Sequence, residues 1–63
     1  MKIPKGQRLW ETFRDEKGRV MWAIASDPAR TVYYLYSVNG ENTELKKKAP
    51  SPKGFEKITG VKI

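Results

Sequence analysis

The chain has no cysteine and no histidine, no long apolar run, and few carboxylates for its number of cations. Each shortage removes a class of explanation. Without cysteine there are no disulfide staples, and without cysteine or histidine there is neither a thiolate nor an imidazole to hold a structural zinc. Absence of cysteine also fits a reducing compartment, and a cytoplasmic location is expected. The longest apolar run, Val20 to Ala25, falls well short of the roughly 20 residues that cross a bilayer. The opening Met1-Lys2-Ile3-Pro4-Lys5-Gly6 lacks the apolar stretch of a secretory signal. No basic amphipathic helix or lipidation motif is visible, so no membrane partner is expected.

Catalytic chemistry is equally thin. Ser26, Ser37 and Ser51 have no evident base, and Asp15 and Glu16 fall in a turn. Glu41 and Glu44 flank a hairpin, where carboxylates are solvated. A general acid–base pair needs a shielded site that shifts pKa values, and 63 residues can hardly enclose one. The expectation is a non-catalytic protein with no cofactor and no metal.

What remains is basic and aromatic. Thirteen Lys and Arg against seven Asp and Glu give a net charge of +6, and the isoelectric point is about 9.8. Residues 31–45 carry only Glu41 and Glu44, whereas residues 46–63 carry six lysines against the single Glu56. The length predicts a single domain spanning residues 1–63. Such a chain buries only about 60% of its unfolded surface, so it has little stability to spare.

Val32-Tyr33-Tyr34-Leu35-Tyr36-Ser37-Val38, followed by Asn39-Gly40 and Thr43-Glu44-Leu45, predicts a β-hairpin. Aromatic and β-branched residues suit a pleated, half-buried surface, and Asn-Gly suits a type I′ turn. A two-residue Asn39-Gly40 loop would pair Tyr36 with Thr43 and Tyr34 with Leu45, and would set Tyr33 opposite Lys46. Lys46, Lys47 and Lys48 would then end an edge strand, alternating between its faces. Earlier in the chain, Gln7 to Arg14 reads as a strand or a short helix, with the strand preferred because the turn Asp15-Glu16-Lys17-Gly18 follows. That pairing sets Leu9 opposite Ile24, Phe13 opposite Val20 and Trp10 opposite Ala23. Arg19 to Ser26 forms the next strand and Asp27-Pro28-Ala29-Arg30 the next turn, which brings Trp22 opposite Leu35 or Tyr36 according to loop length.

Ala49-Pro50-Ser51-Pro52 ends the sheet. Ser51 is placed to cap a helical turn with Pro52 at its first position, Phe55 and Ile58 on one side and Gly60 at its end, while Val61-Lys62-Ile63 suits a short strand. The fold class expected is mainly β: an antiparallel meander of three to four strands, either open or closed as a small SH3-like barrel, with a short C-terminal helical turn or strand. An open meander would leave one aromatic face for a partner or for a homodimer.

The function expected is nucleic-acid binding, DNA or RNA, by a basic, aromatic-bearing sheet surface. Lys46, Lys47, Lys48, Lys53 and Lys57 are the candidates to neutralise phosphates. Tyr33 and Trp10 are the candidates to stack on bases. The alternative is a small protein-binding module or inhibitor. It would engage an acidic protein through an edge strand or exposed aromatics, which are enriched at binding hot spots.

Overall fold

The structure is a computed structural model describing residues 1–63. Four strands, β1 (Arg8–Arg14), β2 (Val20–Ser26), β3 (Tyr33–Asn39) and β4 (Asn42–Ala49), form one antiparallel sheet in the order β1-β2-β3-β4. Gln7 to Arg14 is therefore the start of the sheet and not a helix. The sheet is an open meander, not an SH3-like barrel: β1 and β4 are both edges, with no ladder between them.

Turn chemistry sets the strand ends. In the β1–β2 turn the Asp15 carboxylate accepts from the backbone N–H groups of Lys17 and Arg19, each at 2.9 Å. In the β2–β3 connection Asp27 Oδ1 accepts from the N–H groups of Thr31 at 2.7 Å and Val32 at 3.1 Å, and Oδ2 accepts from the Thr31 hydroxyl. These donors favour the charged carboxylate. The Thr31 hydroxyl contributes most at Asp27, holding it below the ordinary value of 3.8. At Asp15 the Arg19 N–H plays that part. Groups with depressed folded-state pKa values contribute stability above their unfolded pKa and lose it as pH falls through the folded value. The urea midpoint should therefore drop as pH is lowered from about 5 to about 3. Asp27→Asn should flatten part of that dependence, which denaturation series at several pH values would measure; an unchanged slope would contradict a role for Asp27.

The observed registers differ from simple alternation. The β2–β3 loop is longer than either expected form, since Ser26 pairs with Tyr33 and Trp22 lies opposite Ser37 rather than Leu35 or Tyr36. In the second hairpin Asn39 pairs with Asn42, so the loop residues are Gly40 and Glu41. Gly40 has φ +64° and Asn39 is not left-handed; a positive φ at the first loop position alone is the type II′ requirement, not type I′. Tyr36 consequently pairs with Leu45, and Tyr34 with Lys48 beyond a bulge at Lys46. Two further bulges interrupt β1–β2, one at Trp10 and one between Phe13 and Arg14. The first sets Leu9 opposite Ala25 and Glu11 opposite Ile24, in place of the Leu9–Ile24 pair.

Each sheet face is covered by one end of the chain. On one face Ile24 and Leu35 are fully buried with Phe55, flanked by Phe13, Trp22, Tyr33, Ala49 and Ile63. Phe55 comes from a 3₁₀ turn, Pro52–Phe55, capped by Ser51, whose side chain accepts from Lys53 N. The turn continues into α1 (Glu56–Thr59), which ends at Gly60 with φ +72°, the left-handed stop that glycine tolerates. Ile58 is 41% exposed and does not join the core, and residues 61–63 form no strand. On the opposite face Ala23, Ala25 and Tyr36 are buried, with Ile3, Tyr34 and Val38 packed against them. The cover is the N-terminal arm: Thr43 Oγ1 donates to the Lys2 carbonyl at 2.9 Å, and the Tyr36 hydroxyl donates to Gln7 Oε1 at 2.5 Å. Burial pushes the Tyr36 phenol above its ordinary value, with the Gln7 bond opposing. No helix is long and apolar enough to cross a membrane.

Candidate nucleic-acid interface

The β2–β3 row defines what lies together at one end of the sheet. Arg8, Ser26, Tyr33 and Ala49 are consecutive partners across the four strands, so they share the face on which α1 lies. Trp10 joins them. Its ring meets Tyr33 edge-on, with centroids 5.7 Å apart and planes at 80°, a favoured aromatic geometry. The bulge allows this, because an inserted residue shifts the alternation that would otherwise send Trp10 across to Ala23's face. Beneath the pair, Ser26 is buried. Trp10 itself stays 36% exposed, enough to leave part of the indole for a ligand.

Tyr33 lies opposite Ala49, not Lys46, because the Gly40-Glu41 loop shifts the ladder by two residues and the β4 bulge by one more. That bulge also redistributes them. Lys46 Nζ sits 3.3 Å from Glu44 Oε2, and Glu44 pairs with Ser37 while Lys47 pairs with Leu35. Lys46 and Lys47 thus lie on the helix-covered face together, and Lys48, opposite Tyr34, is on the face under the N-terminal arm. Strict alternation of the three lysines does not occur. Lys53 belongs to the 3₁₀ turn, whose next residue, Gly54, lies beside Ala49 with room for a Cβ at 3.6 Å from its methyl. Lys57 is exposed on α1, which packs chiefly on the 3₁₀ turn rather than on β4. Lys53 is accordingly nearer the lysine strand than Lys57.

Two cations that residue patterning passed over lie at the same end. Arg8 shares the row of Tyr33, and its spacing of two from Trp10 was a usable signal. Arg30 lies in the β2–β3 loop with φ +57°, the only non-glycine residue in the left-handed region, a conformation that costs an L-residue about 1–2 kcal/mol. The Asp27 hydrogen bonds described above hold the loop in that shape.

Net positive charge therefore gathers toward one end of the strands, with Glu11 between the ends, opposite Ile24. Asp15, Glu16, Glu41 and Glu44 all lie at the end formed by the two hairpin turns, among Arg14, Lys17, Arg19 and Lys46. Arg8, Arg30, Lys48 and Lys53 lie at the opposite end, where the strand-linking carboxylate is Asp27, occupied by its own loop. Glu56 is the one acid of the helical segment, with Oε1 enclosed and unpartnered. No group of three or more carboxylates converges as a metal site would require. The hollow between the hairpin turns, lined by Asp15, Arg19, Met21, Val38 and Gly40, is shallow and of mixed charge.

The arrangement defines a class, a small open β-meander with one basic, aromatic end. No protein-family model matches the chain, and no significant match was found among curated proteins or solved structures.

Proposed function

We propose that the protein is a non-catalytic nucleic-acid-binding domain of the cytoplasm, using the basic end of its helix-covered face. The observation that carries this reading is that Arg8, Lys47 and Lys53 share the helix-covered face with the partly open Trp10–Tyr33 pair, with Arg30 in the loop at that end and Lys48 at the same end on the other face. Cations there neutralise phosphates and the aromatics offer a base a surface, with Lys46 and Lys57 at the margin.

Recognition of an acidic protein by strand addition is the second reading, favoured by the open β1 edge. It is weaker because β1 is interrupted by a bulge at Trp10 and its ladder with β2 by another beside Arg14, and bulges discourage edge pairing, including that of a homodimer. The test is a titration of labelled DNA and RNA against the protein at stepped ionic strength. Contacts to four or five phosphates give a slope near −3 to −4, or about a hundredfold loss between roughly 50 and 200 mM salt. Absence of binding at the low-salt end rejects the proposal.

A further inference from the structure

We infer that the nucleic acid this surface takes is single-stranded, with one unpaired base stacked on Trp10 and the flanking phosphates held by Arg8 and Arg30. The inference rests on the nucleic-acid reading above and narrows it to a ligand class and to three residues.

Duplex recognition by a sheet needs a bare pair of strands that can enter a groove. Here neither face offers one. The central strands β2 and β3 are covered on one side by Phe55 and Ile63 and on the other by Ile3 and the arm bonded to Thr43 and Tyr36. The helical segment is no better placed, since its single α-turn is four residues long and follows a 3₁₀ turn packed on β3 and β4. What stays open is the indole of Trp10, at an edge, propped by Tyr33. A base inside a duplex has both faces occupied by its neighbours, so only an unstacked base can use that indole.

The surrounding charges suit such a strand. Arg8 lies on the Tyr33 row. Arg30 is carried by the loop that joins the two strands of that row, Ser26 to Tyr33, and is fixed there in a left-handed conformation. The two cations thus belong to the end of the sheet where the aromatic pair lies, one from the edge strand and one from the loop beyond it. Neither has a carboxylate partner: the ion pairs of the molecule are Arg19–Asp15 and Lys46–Glu44.

The experiment compares oligothymidylate and oligouridylate of about 12 nucleotides, within the usual site size for small β domains, with the same thymidylate annealed to its complement, at about 50 mM salt. Binding is read by anisotropy of the labelled strand and by tryptophan emission of the full chain, with Trp22→Phe assigning any quenching to Trp10. The expected result is tighter binding of single strands than duplex, with Trp10 emission quenched. Trp10→Ala should weaken the single-strand complex about 5- to 150-fold, the range for one stacked base, while Trp10→Phe keeps most of the affinity. Arg30→Ala should reduce the salt slope by about one unit, a readout that a purely structural loss would not move. Thymidylate and uridylate differ in both the base methyl and the sugar, and preference of either single strand over the duplex supports the inference. Duplex bound as tightly as single strand, unquenched Trp10 emission in the complex, or unchanged affinity in a folded Trp10→Ala would each overturn the inference while leaving the nucleic-acid reading standing. No binding of any strand would overturn both. Should Trp10→Ala fail to fold by circular dichroism, the quenching result decides.

Discussion

Phe55→Ala should nearly abolish the folded state. Phe55 is fully buried, and with Ile24 and Leu35 it forms the centre of one of the two apolar clusters. It is also the buried anchor of the helical segment, none of whose α1 residues is buried. Truncating a buried phenylalanine costs about 3–5 kcal/mol. At roughly 0.05–0.15 kcal/mol per residue, a domain of this length has on the order of 3–9 kcal/mol in total. The loss is therefore comparable with the whole. Urea denaturation followed by circular dichroism should show a midpoint near zero for Phe55→Ala and a shift within about 0.5 kcal/mol for the exposed Ile58→Ala. Equal effects of the two would contradict the assignment of Phe55 as anchor.

The second large effect concerns charge. Neutralising one phosphate-contacting lysine removes about one unit of salt slope, equivalent to about fivefold in affinity near 0.1 M salt. Reversing two, as in Lys47→Glu with Lys53→Glu, adds repulsion and should weaken nucleic-acid binding on the order of fiftyfold or more. Both side chains are exposed, so stability should change by less than about 0.5 kcal/mol. Position matters as well as sign. Lys46 is already paired with Glu44 at 3.3 Å, so Lys46→Ala should cost less affinity than Lys47→Ala. Anisotropy titrations of the single and double variants check both statements, and a double reversal without effect would remove the basic end from consideration.

Much of the fold is legible in particular residues. Asp15 and Asp27 mark two turns because a carboxylate one residue beyond a strand can accept from several backbone donors in the loop. Ser51-Pro52 and Gly60 mark the start and stop of the helical segment by the same local logic. Gly40 signals a tight hairpin, yet which residues enter the loop was decided by the ladder, where Asn39 pairs with Asn42. The bulges at Trp10 and Lys46 left no sign in composition, since an inserted residue looks like any other strand residue; their effect was to move Trp10 to Tyr33 and to set Lys46 and Lys47 on one face. Covering of the second face by Ile3 and Gln7 was likewise invisible, because a single apolar residue in a polar arm has no periodicity to read. The candidate site follows the same division. Its lysines and aromatics were readable by type, while Arg8 and Arg30 became neighbours of that site only through the register and the β2–β3 loop.

Acids and bases nearly balance at the hairpin-turn end while unpaired cations gather at the other, which gives this small molecule an electric dipole along its strands. Near a polyanion such a dipole exerts a torque during diffusion, so the chain arrives with the Trp10 end leading more often than chance would bring it. Orientation before collision raises the association rate and leaves dissociation to the close contacts. Moderate salt would thus slow arrival well before it loosened a complex already formed.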